Sequence, residues 1–458
     1  MKDELNLDPP EKKPIMIIPP MPFSWRLGIG VMVVALGAVA YFFKEPIGSR
    51  GRSGLGIICF LGLIAVFSAN LRAVNWKTLG WGIILQFSLG VAIIHVEPVR
   101  RFFDAIVYVV KQFLAFTNEG SKFVFGKLAD PAAVGEAFKA PKEGFVFAFV
   151  ALPTIIFVAS FFTVLYYFGI LQFIVRLMAK LMMYLMQTSG AETLSVSANV
   201  FMGQTEAPLI IKPYVSRMTQ SELLTMMVGG MAHISGALMA VYISMGADPV
   251  AILATSVMAA PCSLYLSKLL LPETEEPQTR GEVKMVVERQ HANVIDAASA
   301  GASDGMRLAL NIAAMLIAFL AFIALFDALL GTINEGLSLK VIFSKLFAPV
   351  AYLMGVEPQD VPAVADLLGT KLVANEFVAY SKFKDSYIAT LSHRDKILVT
   401  YALTGFANFA SIGIQLGGIG AMAPDRRADL ARLGGRALFV GFVATLINAS
   451  IAGLLLNP

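Results

Sequence analysis

Three consecutive polar side chains interrupt a strongly apolar part of the chain. Gln204, Thr205 and Glu206 follow Gly203, and Pro208 comes two residues after them. Amide, hydroxyl and carboxylate groups together donate and accept hydrogen bonds, so they can bind a polar solute. At membrane depth such groups are costly unless they face protein partners or a water-filled cavity. The triplet is therefore a candidate binding site.

Further polar side chains occur in similar surroundings towards the C-terminus. Asn375 and Glu376 follow an apolar segment, and Asn408 and Ser411 lie in the middle of another. All these groups are neutral or acidic, whereas recognition of a phosphate would call for Arg or Lys. The residue types therefore favour transport of a small neutral solute that carries hydroxyl groups or a heterocycle.

Each of these residues also has a purely structural interpretation. Glu206 would cap a broken helix or pair with Lys212, and Glu376 would pair with Lys371. Small polar side chains and imidazoles often join helices by hydrogen bonds. This alternative applies to three residues: Asn408, Ser411 and His233.

The composition indicates a membrane protein. The 458 residues are 57% hydrophobic and 15% charged, with a mean hydropathy of +0.71. Soluble domains have roughly 25% charged residues, so many apolar segments here are candidates for spanning helices. A net charge of +4 is small for this length and gives no indication of a nucleic-acid partner. Cys59 and Cys262 both lie in apolar segments and are expected to be inert thiols.

Apolar and polar segments divide the chain into six parts. We predict the following regions: a polar tail at 1–26, transmembrane helices at 27–96, an interfacial amphipathic helix at 97–130, the first half of a transport core at 131–271, a soluble loop at 272–305 and the second half of the core at 306–458.

Two segments are too polar to cross a membrane and too apolar for ordinary loops. They lie at about 191–217 and 360–385, and re-entrant hairpins explain both. Each has an acidic residue at its expected tip and precedes an apolar helix with polar residues in its middle. Paired interrupted segments of this kind mark the binding site of secondary transporters. The predicted fold is an all-α integral membrane protein with about 8–9 spanning helices and two hairpins in an inverted repeat.

Three segments resemble the signatures of one transporter family. GQTEAPLIIKPY (203–214), NEFVAY (375–380) and GFANFASIG (405–413) are similar to motifs of the concentrative nucleoside transporters, and PETE (272–275) also matches. The resemblance implies a homotrimer in the plasma membrane, or in the inner membrane of a bacterium. It also implies a scaffold domain and a mobile transport domain with two hairpins and two unwound helices.

The resemblance implies roles for single residues. In this family the Gln, Thr and Glu of the first hairpin tip hydrogen-bond the nucleobase, directly or through water. The Glu of NEF, and the Asn and second Ser of the GFAN segment, contact the ribose, and the Phe lines the pocket. The corresponding substrate-binding residues are Gly203, Gln204, Thr205, Glu206, Glu376, Phe406, Asn408 and Ser411. The Gly–Gln pair resembles members that accept both purine and pyrimidine nucleosides, such as adenosine and uridine.

The cation site departs from the pattern of sodium-coupled members, which use an Asn side chain, two backbone carbonyls and a Ser or Thr hydroxyl. Asn199, Met202 and Ile234 occupy three of these positions, but His233 stands at the hydroxyl position. Hard cations prefer oxygen ligands, whereas histidine titrates near neutral pH. We therefore expect a coupling cation, with the proton favoured over sodium and Glu206 as a competing proton carrier. No other cofactor is expected.

Two other classes of function compete with a nucleoside symporter that is driven by protons or by sodium. One is an intramembrane enzyme with Glu206 and Glu376 as an acid–base pair, and the other is a passive channel. The sequence has no Ser–His–Asp order, no metal-ligand His pair and no phosphate loop. We therefore predict a transporter rather than an enzyme, with nucleosides and membrane lipid as its partners.

Overall fold

The computed structural model describes residues 21–139, 144, 146–280 and 291–457, which are mainly helical. The helices before residue 281 are α1 (Phe23–Phe42), α2 (Lys44–Val66), α3 (Trp76–His95), α4 (Glu97–Phe125), α5 (Pro131–Ala137), α6 (Phe147–Tyr167), α7 (Ile170–Met186), α8 (Gly190–Asn199), α9 (Lys212–Val215), α10 (Gln220–Ala232), α11 (Gly236–Ser244) and α12 (Pro249–Leu270). The helices after residue 290 are α13 (Val294–Ile333), α14 (Leu339–Leu346), α15 (Ala348–Leu353), α16 (Val361–Val373), α17 (Glu376–Lys382), α18 (His393–Leu403), α19 (Phe409–Met422) and α20 (Arg427–Leu455). The described residues contain no β-strand, so the predicted all-α class is confirmed.

Eight helical segments of the described chain are long and apolar enough to cross a bilayer. They are α1, α2, α3, α6, the interrupted helix α10–α11, α12, α13 and α20. This number agrees with the predicted eight or nine spans. The sequence left open whether residues 27–43 cross the membrane, and α1 has the length and apolarity to do so.

The spans form an inner and an outer group. Within their most apolar windows, 94% of Gln220–Ser244 and 83% of both Pro249–Leu270 and Pro424–Leu455 are buried. The corresponding fractions are 6% for Phe23–Phe42 and 11% for Val294–Ile333. Because lipid can cover an apolar helix but cannot hydrogen-bond polar groups, the inner helices are where polar side chains find partners.

Helix α4 differs from the spanning helices. It begins with Pro98 in its first turn and continues for 29 residues with charged and apolar side chains on opposite faces. Val107 and Ser121 are buried, whereas Phe102 and Phe116 are exposed. The helix is not among the candidate spans. These properties are those of the interfacial amphipathic helix that the sequence predicts.

The first predicted hairpin consists of α8, a tight turn and the short helix α9. Ser189 and Glu192 form a capping box at the start of α8, which ends at Asn199. The turn contains Gly203, and the chain returns through a 3-10 helix at Ala207–Ile211 that packs on α8. Every residue of α8 is buried. The polar groups of α8 are therefore held inside the protein.

The second half repeats this order of elements. α16 and α17 pack against each other, with a break at Ala374, and the Asn375 side chain caps α17 by accepting from the Val378 N–H. Each hairpin is followed by an interrupted helix. α10–α11 is interrupted at His233, and α18–α19 is interrupted at Gly405, whose φ is +135°. This repetition agrees with the predicted inverted repeat.

The loop between the halves is shorter than predicted. α13 begins at Val294, so the end of the segment 272–305 is helical and the second half does not start at residue 306. The Asn293 side chain caps this helix by accepting from the Asp296 N–H, which explains the early start. At 40 residues α13 is longer than a bilayer requires, so polar residues are tolerated at its beginning. Residues 281–290 of the loop and 1–20 of the tail lie outside the described residues.

Candidate functional site

A cavity of about 170 Å³ lies between the two hairpins and the two interrupted helices. All eight residues that the sequence analysis assigned to a substrate site line it: Gly203, Gln204, Thr205, Glu206, Glu376, Phe406, Asn408 and Ser411. The volume is below the roughly 300–1,000 Å³ of pockets for drug-sized ligands. It is suited to a small solute.

Glu376 is the acidic centre of the cavity. It is 5% exposed, and its two carboxylate oxygens accept one hydrogen bond each, from the Tyr242 hydroxyl and from the Asn408 amide, both at 2.9 Å. A carboxylate has about four acceptor positions, so two remain for a ligand. The Asn408 oxygen accepts from the Ser411 N–H at 2.9 Å and thereby caps α19. The tip of the second hairpin and the start of α19 are thus fixed to each other.

Gln204 connects the first hairpin to the same helix. Its amide nitrogen donates to the Ser411 hydroxyl at 3.2 Å, and its oxygen accepts from the Gln415 amide at 3.2 Å. Gln415 also donates to the Met227 carbonyl at 3.0 Å. Since a primary amide has two donors and an acceptor, Gln204 keeps hydrogen-bonding capacity for the edge of a heterocycle.

Thr205 and Glu206 complete the tip of the first hairpin. Glu206 accepts from the Gly203 N–H at 3.0 Å and closes its own turn, but its side chain does not cap the 3-10 helix that follows. Unlike Gln204, the Glu206 side chain is exposed. Thr205 packs closely against Gly418 of α19, where a Cβ would lie 2.5 Å from the threonine methyl group. The tip therefore combines fixed and accessible polar groups.

The two interrupted helices are joined at their breaks. The Phe406 N–H donates to the His233 carbonyl at 3.1 Å. A Cβ on Gly405 would lie 3.0 Å from the carbonyl oxygens of Met231 and Ala232. Glycine, with its positive φ, allows this close approach of the two backbones. The two breaks are therefore in direct backbone contact.

The residues assigned to a cation site surround the first break. Asn199 and His233 are each 1% exposed, and both contact Gly229. The His233 Nδ1–H donates to the Gly229 carbonyl at 2.7 Å. Nε2 of His233 and Oδ1 of Asn199 are buried without a hydrogen-bond partner among the described residues. Buried polar atoms are nearly always satisfied, so this pair indicates a place for a cation, a proton or a water molecule.

Met202 and Ile234 flank this place on the two elements. Met202 lies in the hairpin turn and Ile234, which is fully buried, lies in the break of α10–α11. The Gly236 N–H donates to the Phe201 carbonyl at 3.0 Å and holds the turn against the break. The four predicted cation-site residues are therefore on adjoining segments.

One structural alternative for Glu376 is wrong. Lys371, its expected partner, donates instead to the Ala402 carbonyl at 2.7 Å and to the Thr445 hydroxyl at 3.0 Å. The ammonium of Lys371 is thus hydrogen-bonded to α18 and α20 and makes no ion pair with Glu376 within 4.0 Å.

Sequence reasoning did not find two residues that hydrogen-bond to the cavity lining, Gln415 and Tyr242, or the cavity residues of α13. Gln415 follows Asn408 and Ser411 at helical spacing, so the shared face of α19 was a usable signal. Tyr242 lies in an apolar segment, and nothing in the sequence around it indicated a role at the site. Helix α13 contributes four apolar residues to the cavity wall: Leu308, Ile312, Met315 and Leu316.

Comparison with protein families gives three matches in chain order. A model described as "Na+ dependent nucleoside transporter N-terminus" matches residues 55–128, one described as "Nucleoside recognition" matches 148–249, and "Na+ dependent nucleoside transporter C-terminus" matches 251–453. The last two contain the hairpins and interrupted helices that surround the cavity.

Curated relatives include mammalian and bacterial proteins. "Sodium/nucleoside cotransporter 1" of Mus musculus is 45% identical over 423 residues, which are 88% of this chain and 63% of the relative. An "Uncharacterized transporter" of Haemophilus influenzae is 40% identical over 88% of this chain and 97% of its own length. The chain thus spans about three fifths of the length of the mammalian relatives and nearly all of the bacterial one.

Solved structures agree with these matches. CNTnw in an inward-facing substrate-bound state has a TM-score of 0.83 and 38% identity, over 88% of this chain and 97% of that chain. A variant of CNTnw in a state named intermediate 2 has a TM-score of 0.85 and 38% identity, over 89% of this chain and 98% of that chain. Together with the eight candidate spans, these likenesses identify a multi-pass membrane protein. Its relatives are named as transporters and not as enzymes, in agreement with the sequence prediction.

Proposed function

Because this chain belongs to the concentrative nucleoside transporter family, we propose that it is a secondary active symporter that imports nucleosides across the plasma membrane, or the inner membrane of a bacterium. The observation that carries this proposal is the cavity in which the two hairpin tips and α19 present Gln204, Glu376, Asn408 and Ser411 together. Amide groups suit a base, and a carboxylate with free acceptor positions suits ribose hydroxyls.

The substrates of this proposal are purine and pyrimidine nucleosides, such as adenosine and uridine. Gln204, Thr205 and Glu206 would hydrogen-bond the base, directly or through water. Glu376, Asn408 and Ser411 would bind the ribose, with Phe406 and the α13 wall covering the apolar faces. An amide that both donates and accepts can adapt to either class of base, which supports the broad preference.

We expect uridine to compete for transport and uridine monophosphate to be inert. A doubly charged phosphate beside Glu206 and Glu376 would be repelled, and no lysine or arginine lines the described cavity. The measurement is inhibition of labelled adenosine uptake by each compound at one concentration. Equal inhibition by both would show that the site has been misassigned.

For energy coupling we propose a cation at the first break, with the proton favoured over sodium. The unpartnered Nε2 of His233 and Oδ1 of Asn199 support a cation-binding place there. With Nδ1–H engaged by Gly229, Nε2 is the ring atom that can take up a proton. Protonation would put a positive charge at the position that the family pattern gives to the ion. Sodium is the second candidate, because the mammalian relatives are named sodium cotransporters.

Uptake into proteoliposomes tests both the proposed nucleoside symport and the proposed coupling cation. Labelled uridine is supplied with sodium replaced by choline, with and without an inward proton gradient, and then with sodium at a fixed pH. Accumulation above the external concentration separates a symporter from a passive channel. Recovery of unaltered uridine separates it from an intramembrane enzyme. Uptake that requires sodium and ignores the proton gradient would overturn proton coupling while leaving the symporter in place.

We further propose that transport proceeds by alternating access in a homotrimer. Both hairpins are hydrogen-bonded to α19, through Gln204 to Ser411 and through Glu376 to Asn408. The interrupted helix α10–α11 is joined to α18–α19 by the bond from the Phe406 N–H to the His233 carbonyl. Because they are connected by hydrogen bonds, the hairpins and the interrupted helices can move together as one rigid body relative to the outer helices. Crosslinking in native membranes would test the trimer, since a monomer would give no higher band.

A further inference from the structure

A buried lysine lies close to the second helix break. Lys371, on α16, is 0% exposed, and its ammonium donates to the Ala402 carbonyl and the Thr445 hydroxyl. The ring of Phe442 lies 5.5 Å from Nζ. Ala402 is the last residue but one of α18, the first part of the interrupted helix α18–α19. The ammonium therefore ties the hairpin to the C-terminal end of α18 and to α20.

The partners of this ammonium are neutral groups. Among the described residues no carboxylate lies within 4.0 Å of it, whereas the buried Lys268 contacts Glu192 at 2.8 Å and Lys382 contacts Asp366 at 2.8 Å. The charge of Lys371 interacts with the Glu376 carboxylate, but beyond ion-pair distance. An ammonium that contacts no counter-ion inside a membrane protein is costly, and such residues usually serve a function. The negative end of the α18 dipole, at its last carbonyls, provides partial compensation.

The first break shows the opposite arrangement. There the hairpin arm α8 and the interrupted helix α10–α11 leave Ser195 Oγ, Asn199 Oδ1 and His233 Nε2 buried without hydrogen-bond partners among the described residues. At both breaks a hairpin arm lies against the end of the first part of an interrupted helix: α8 against α10, and α16 against α18. The first break has buried polar atoms without hydrogen-bond partners among the described residues. The second break has the positively charged side chain of Lys371.

We propose that Lys371 is a tethered cation, which holds the second break in its binding geometry as an exchangeable cation does at the first. This inference rests on the proposed function. By fixing the end of α18, the ammonium positions Asn408 and Ser411 for the substrate whether or not a cation gradient exists. Cation coupling is then confined to the first break. Lys371 is a positioning residue, because it does not line the cavity.

The test is equilibrium binding of uridine to the purified protein in detergent, at fixed pH and without any gradient. Lys371→Ala should weaken binding by roughly tenfold or more, since it leaves buried acceptors without their charged donor. Methylammonium should restore much of the lost affinity, whereas methanol at the same concentration should not. The wild type with each additive provides the baseline. Lys345→Ala, at an exposed lysine of α14, should bind like the wild type.

The outcomes separate the inference from the proposed function. A wild type that does not bind uridine refutes the proposed function. If the wild type binds, then unchanged affinity in Lys371→Ala, or a loss that methylammonium does not relieve better than methanol, refutes the tethered cation. Should the alanine variant fail to fold, Lys371→Arg and Lys371→Met are compared. The inference requires arginine to retain more binding than methionine, and the reverse order contradicts it.

Discussion

Glu376→Gln is expected to reduce uridine affinity by about tenfold or more while leaving the protein folded. A hydroxyl donates to a carboxylate about twice as strongly as to a neutral oxygen, and tenfold in affinity is about 1.4 kcal/mol. The amide oxygen can accept from the Asn408 amide as the carboxylate does, and the amide nitrogen can donate to the Tyr242 oxygen, which reverses that hydrogen bond. The Glu376→Gln variant is therefore expected to fold, and its main change is the loss of the negative charge in the cavity. Uptake and equilibrium binding of uridine measure the effect.

Two comparisons make the Glu376 experiment specific. Glu97→Gln is the same chemical change at an exposed ion pair of α4 and should leave uptake unaltered. Deoxynucleosides that lack the contacted hydroxyl should be poorer substrates of the wild type and should lose less in the Gln variant. Wild-type uptake of uridine by Glu376→Gln would refute the ribose assignment.

His233→Ser is expected to lower the rate of proton-driven uridine uptake by about tenfold. The same substitution is expected to make uptake depend on sodium. The substitution removes the ring whose Nε2 lacks a partner and places a hydroxyl oxygen beside Asn199. Oxygen ligands suit a hard cation such as sodium. The measurement is uridine uptake at a series of sodium concentrations, with and without an inward proton gradient.

A second histidine provides the control for this exchange. His95 is exposed at the end of α3, so His95→Ser should keep the cation dependence of the wild type. If His233→Ser retains full proton dependence and gains none on sodium, then His233 is a packing residue. The competing carrier, Glu206, would then be examined through Glu206→Gln.

Much of this architecture follows from the sequence. Apolar segments of about 20 residues are candidates for spans, and the described chain has eight helical segments of this kind. Polar residues at membrane depth must be satisfied internally, which is why the segments around Glu206 and Glu376 were predicted as hairpins. The Gly203 turn and the Asn408 cap are local features, encoded by residues close together in the chain.

Other features were decided by tertiary packing. Tyr242 meets Glu376 across 134 positions, and Gln204 meets Ser411 across 207. Nothing in the local sequence of Tyr242 distinguishes it from other aromatic residues in apolar helices. α13 is apolar on nearly every face, so no periodicity marked the four residues that cover the cavity. Such contacts depend on how distant helices pack.

Lys371 shows the same division most clearly. The sequence placed a lysine near a glutamate on one hairpin, and attraction between opposite charges favoured an ion pair. In the structure the Lys371 ammonium donates to the Ala402 carbonyl and the Thr445 hydroxyl instead, because α16 packs against α18 and places Lys371 at the end of that helix. Sequence determined which residues are polar and at what depth they lie, since hydrophobicity and length are local properties. Tertiary structure decided which polar groups meet, since hydrogen-bond geometry requires both partners to be fixed in space.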